Sequence, residues 1–201
     1  MMQLNLLFFL LVLVFGLVGY ARGWSKEIIS TAGIVLALFA IYNFDSMLRS
    51  MVNADPPGGA PLTLEYITNR QSLFWLQSAI FALIVFFAYQ TRALVGEDVR
   101  RGQNRPGARD RDRDGQNDDF QVRIMGFIFG LVNGYLIWGS LWYFMDRAGY
   151  PLAPYVSAPP AGSDSFALIG VLPLNILAPG GIDTLLTLMV IIAFLIVLIL
   201  I

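Results

Sequence analysis

The sequence predicts an all-α fold: a polytopic transmembrane helical bundle with four spans in a first domain and a fifth span at the C-terminus. Three observations lead there. Of the 201 residues, 57% are hydrophobic and only 13% charged, about half the charged share usual in a soluble domain. Five apolar stretches are long enough, or nearly so, to cross about 30 Å of hydrocarbon at 1.5 Å per residue. Finally, Gly126, Gly130 and Gly134 recur at four-residue spacing inside one of those stretches. In water each glycine would weaken a helix by about 1 kcal/mol relative to alanine. In a bilayer the three clear one helix face and let another helix approach closely.

The spans read in order as Leu4–Tyr20, Ile28–Phe44, Ser72–Tyr89, Arg123–Met145 and Thr184–Ile201. The first has no Lys or Arg before its apolar run and no small-x-small site after it, so it reads as a retained helix and not a signal peptide. The second is short, and Asp45 to Met51 extends it into the headgroups. Trp24, Trp75, Tyr89, Trp142 and Tyr143 lie near the expected ends, where amphipathic rings favour the interface. Residues 1–146 thus form a four-helix membrane domain with a polar, charged insert at 90–122. Residues 147–183 form a Pro/Gly-rich loop, and 184–201 the last helix. Within that loop Phe166–Leu177 is apolar but broken by Gly170 and Pro173, which suits interfacial or re-entrant packing better than a span.

Lys and Arg orient the stack. Arg22 and Lys26 in the first turn join Arg92, Arg100, Arg101, Arg105, Arg109, Arg111, Arg113 and Arg123 on one face, against Arg49, Arg70 and Arg147 on the other. Ten against three puts the first group in the cytoplasm, so the N-terminus is expected outside and the C-terminus inside.

The chain has no histidine and no cysteine. That excludes disulfides, thiolate nucleophiles, iron–sulfur ligation, ordinary zinc sites and histidine-ligated haem, and removes the commonest general base. No Ser–His pair and no Gly-rich phosphate loop is present, so no enzyme is expected. A net charge of -1 predicts no nucleic-acid partner.

Two motifs stand out. The first turn runs Gly19-Tyr20-Ala21-Arg22-Gly23-Trp24-Ser25-Lys26-Glu27. Gly23 permits a tight turn, Ser25 can cap the second helix, and Glu27 lies in its first turn, where the helix dipole favours an anion. Arg22 and Lys26 anchor the turn at the membrane surface. The preferred reading is a topology-setting turn; the functional one is an Arg22–Glu27 pair that binds a partner or gates a path. The second motif is Arg123-Ile124-Met125-Gly126-Phe127-Ile128-Phe129-Gly130-Leu131-Val132-Asn133-Gly134. Asn133 must face protein or water. An interhelical hydrogen bond worth about 0.6–2 kcal/mol is preferred over a pathway contact, because no Asp, Glu, Lys or Arg falls in the interior of an expected span.

Together, in this order, the two motifs resemble the bacterial colicin V production (CvpA) family, whose first turn and glycine helix carry these patterns; the resemblance covers residues 4 to about 146. It implies an inner-membrane protein of bacteria, linked to envelope homeostasis and to export of a peptide toxin.

The insert holds Asp110, Asp112, Asp114 and Asp118 with Gly115, positions one, three, five, nine and six of a calcium loop. Gln121 stands where a bidentate Glu is wanted, and Arg111 and Arg113 interleave the ligands. A solvated polyampholyte linker is the preferred reading, and calcium is the one cofactor the pattern offers.

The expected function is therefore action through helix–helix contacts in envelope homeostasis or export. Partners are the lipid bilayer and other membrane proteins, homo- or hetero-oligomeric. An accessory subunit of a larger complex is the first alternative, and a small transporter or pore the second.

Overall fold

A computed structural model describes residues 4–56, 63–90 and 115–200, and every regular element among them is helical. In chain order they are α1 (Leu4–Arg22), α2 (Trp24–Met51), α3 (Leu64–Gln90), α4 (Gly115–Arg147), α5 (Asp164–Ile169), α6 (Pro173–Leu177), a 3₁₀ turn at Pro179–Gly181, and α7 (Thr184–Leu200). The first four are long and apolar enough to cross a membrane. α7 is equally apolar but has 17 residues, a rise of about 25 Å. The expected helical membrane bundle is what the chain forms.

The spans lie where the apolar windows lie, but the helices run past them. α2 continues to Met51 and α3 begins at Leu64, adding Arg49 at one end and Glu65, Asn69 and Arg70 at the other. Hydropathy marks where hydrocarbon ends, and nothing in these flanks breaks the helix there. Gly23, with φ 83°, is itself the residue before α2 and makes no side-chain cap bond. Ser25 is inside the helix, so the expected serine cap is replaced by a glycine turn whose N–H closes α1 on the Gly19 carbonyl at 2.9 Å.

α2 is the central helix, packed on α3, α4 and α7, while α1 lies along α4. Ile34, Val35, Leu38 and Ile41 of α2 meet the buried Phe81 of α3 and Phe144 of α4 in one core. Beyond α4, Tyr150 (φ 59°) is buried. Its hydroxyl accepts from Trp142 Nε1 at 3.2 Å and donates to Asp146 Oδ1 at 3.0 Å. Burial pushes its pKa up to about 12, so it remains a donor at neutral pH.

The segment from α5 to α6 folds back along α4. Pro173 is buried against Gly139, where an added Cβ would fall 2.5 Å from the Pro173 Cδ. The Tyr135 hydroxyl donates to the Val171 carbonyl, and the Asn5 N–H donates to Ser165 Oγ at 3.3 Å. Tyr135 precedes Arg147 by twelve residues, about 18 Å along the axis, so this broken helix reaches well down the flank of α4.

Candidate functional site: a polar cluster at the α1–α4 crossing

The site begins with a contact between backbones. Gly126, Gly130 and Gly134 all face α1, which answers with Gly16 and Gly19. A Cβ on Gly134 would come 2.8 Å from Phe15 Cβ and 2.9 Å from Val12 Cα; one on Gly19 would strike the Gly126 carbonyl oxygen. The closeness needs glycine on both sides, and it draws the α1–α2 turn onto α4: a Cβ on Gly126 would lie 3.0 Å from Gly23 Cα.

This approach carries Glu27 inward. Its side chain is 1% exposed, although the residue lies only one position before the second apolar window. Its Oε2 accepts from Asn133 Nδ2 at 2.8 Å and from the Tyr89 hydroxyl at 3.4 Å. Its Oε1 meets Arg22 Nη1 at 3.2 Å, without a well-aligned hydrogen bond. Asn133 is held in turn: Nδ2 also reaches the Glu27 carbonyl at 3.2 Å, and Oδ1 accepts from the Thr31 hydroxyl at 2.7 Å. The Arg22 guanidinium lies 4.3 Å from the centre of the Tyr89 ring. Five side chains from four helices thus form one network.

The physical cause is mutual. A bare carboxylate in this setting would cost several kcal/mol. Here an arginine, an amide and a phenol are all held against it at the N-terminal end of α2. The expectation that no ionisable group lies at depth is corrected: Glu27 is buried and bonded to Asn133, the fourteenth of the 28 residues in the apolar part of α4. Thr31 and Tyr89 were not singled out by sequence; Tyr89 showed only as an interfacial ring. Lys26 is exposed and contributes to the cluster only its carbonyl, which accepts from Ser30 at 3.2 Å.

A second polar group sits at the opposite end of the bundle. Asp45 Oδ2 accepts from Arg49 at 2.7 Å and Oδ1 from the buried Gln77 at 2.7 Å, while Asp55 meets Arg49 and Arg70, each at 3.3 Å. Asp110, Asp112 and Asp114 lie outside the described residues. Of Asp118 only the backbone, in the first turn of α4, is described. Among the described residues no three His, Cys, Asp or Glu side chains converge as a metal site would require.

The network joins the two motifs that the sequence keeps 100 residues apart, Arg22–Glu27 and Gly126–Gly134. A family profile described as colicin V production protein matches residues 4–158, which includes both motifs and all of α1 to α4. The chain belongs to the colicin V production family. No curated protein and no solved structure matches it. The family match ends before α5, so the fold-back segment and α7 lie outside it, while the crossing of α1, α2 and α4 lies wholly within.

Proposed function

We propose that this colicin V production family protein is a bacterial inner-membrane protein that acts through lateral helix contacts in envelope homeostasis or export, without turning over a substrate. The observation that carries this reading is where the two motifs go. They are spent on each other: glycine on glycine, and Arg22, Glu27 and Asn133 on one another. The cluster has no free nucleophile beside a base, and its carboxylate is engaged by its own chain. What is left to meet other molecules is the outward surface, with Phe9, Leu10, Leu13 and Leu17 of α1 and Phe194, Leu195 and Leu198 of α7 exposed.

The glycine face is occupied by α1, so crosslinking belongs on outward positions. In native membranes, Leu13→Cys and Leu195→Cys should each give discrete adducts, homomeric for self-association and heteromeric for a subunit role. Monomer alone, under conditions where a dimer control crosslinks fully, would sink the proposal. The orientation proposed with it puts the 90–122 insert in the cytoplasm, because bases and not net charge decide sidedness. With no native thiol in the way, Asn104→Cys should stay unlabelled by an impermeant maleimide in intact cells and label after lysis.

A further inference from the structure

At the end of the bundle opposite the α1–α2 turn, a cavity of about 420 Å³ opens between α2, α3, α4 and the turn after α6. Two other grooves, one between α1 and α3 beside Phe15 and Phe86 and one beside Phe8 and Trp75, are lined mostly by apolar side chains; this one is not. Tyr42, Asp45 and Ser46 of α2, Gln77 of α3, and Tyr143 and Arg147 of α4 all line it. Gln77 is 6% exposed. Its Nε2 is spent on Asp45, and its Oε1 has no hydrogen-bond partner among the described residues. Asp45 accepts one bond on each oxygen, and a carboxylate has room for about four. The acceptors Asp45, Gln77 Oε1 and Ser46 Oγ are therefore only partly used.

Arg147 is the opposite pole. Its guanidinium lies 5.6 Å from the Tyr143 ring centre and donates to that hydroxyl at 2.8 Å. It has no acidic partner within ion-pair distance among the described residues. Asp45 and Arg147 both line the cavity, so opposed charges border the same space. The lining of the cavity thus holds a cation with free donors and a carboxylate with free acceptor capacity. Its volume falls in the range of small-molecule sites and is too small for a helix.

We propose that this cavity binds a small zwitterion carrying a primary ammonium and a phosphate, the ammonium against Asp45 and Gln77 and the phosphate on Arg147. A primary ammonium has three donors to satisfy the clustered acceptors; a quaternary one would leave them unpaired in a half-dry pocket. A guanidinium fork suits a phosphate oxygen pair. Tyr42 and Tyr143 mark the level of a membrane interface, so the zwitterion comes either as the headgroup of an aminophospholipid or free from solution.

The test uses the full chain, with native mass spectrometry counting bound probe. In one arm the protein in mild detergent meets glycerophosphoethanolamine or glycerophosphocholine. In the other it is taken from nanodiscs of phosphatidylethanolamine mixed with phosphatidylcholine. We expect at least a tenfold preference for the ethanolamine probe in one or both arms, and binding of that probe weakened at least tenfold by Arg147→Gln. Binding in the lipid arm alone identifies the headgroup of a membrane lipid; binding of the soluble probe identifies a free zwitterion. Asp45→Asn should weaken binding too, but it also loosens Arg49 and Gln77. Arg147→Gln breaks no ion pair and keeps the test decisive if Asp45→Asn fails to fold. Equal retention of choline and ethanolamine probes, no binding in either arm, or unchanged binding of the ethanolamine probe in Arg147→Gln overturns the proposal.

Discussion

Glu27 and Asp45 stand near opposite ends of α2, eighteen residues apart, and each faces an arginine. Their settings differ. Glu27 is 1% exposed and tied to Arg22, Tyr89 and Asn133 on three other helices. Asp45 is 30% exposed, paired with Arg49 one turn along its own helix, and it borders a cavity. The same pair of ions is thus an internal fastening in one place and a wetted surface in the other. Removing one partner from a buried pair leaves an uncompensated charge, at about 3–5 kcal/mol; an exposed pair is worth about 0–1 kcal/mol. Burial, not the number of ion pairs, ranks the two ends.

The largest effect should come from Arg22→Ala, which strands Glu27 among helices. We expect a loss of about 3 kcal/mol, the lower end of the buried range, because the Arg22 side chain is 23% exposed. Reversible unfolding in mixed micelles measures it. Adding Glu27→Gln removes the stranded charge and should recover much of the loss. If the double variant is as unstable as the sum of the two single variants, Arg22 is stabilising by packing on Tyr89 and not by compensating Glu27.

Next in size is the glycine contact, where two neighbouring positions on α1 separate the causes. A Cβ on Gly19 meets the Gly126 backbone oxygen, which cannot yield without moving a helix. A Cβ on Gly16 meets the tip of the Leu131 side chain at 2.7 Å, which can rotate. Gly19→Ala should therefore cost about 1–3 kcal/mol by overpacking, and Gly16→Ala clearly less. A Leu13→Ile change on the exposed side of α1 should be near neutral. Equal effects of Gly19→Ala and Gly16→Ala would mean that α1 and α4 are not in backbone contact.

These positions show what could be read in advance. The glycine spacing and the apolar windows are local patterns, and they marked four spans and a face of the fourth that another helix could approach closely. Gly170 and Pro173 were enough to mark a broken segment, but not that Pro173 seats on Gly139. Helix ends were poorly legible, since α2 and α3 cross from hydrocarbon into the interface without a breaking residue. The bond from Glu27 to Asn133 was not legible at all. It spans 106 residues, and Glu27 looked interfacial because hydropathy counts a charge against burial and cannot see that Arg22, Tyr89 and Asn133 compensate it. The serine cap failed for a related reason: a glycine at positive φ ended one helix and began the next, and no side chain was needed.

The smallest effect should be at Asp55. It touches both Arg49 and Arg70 at 3.3 Å, which on a contact map looks like a stronger constraint than the single arginine of Glu27. Its side chain is half exposed, however, and both guanidinium groups have other acceptors: Asp45 for Arg49, and the Ala54 carbonyl for Arg70. In water-like surroundings each pair is screened and repays little more than the entropy of holding two long side chains. Asp55→Asn should therefore shift stability by less than about 1 kcal/mol, and what shift there is should shrink further as salt is raised from low to molar concentration. Arg22→Ala should keep its effect over the same range, because the charge it strands has no access to salt. If Asp55→Asn proves as costly as Arg22→Ala, or if both lose their effect in high salt, then the two ends of α2 do not differ in dielectric setting. Glu27 would then have to be reached by water along a path between α1 and α3.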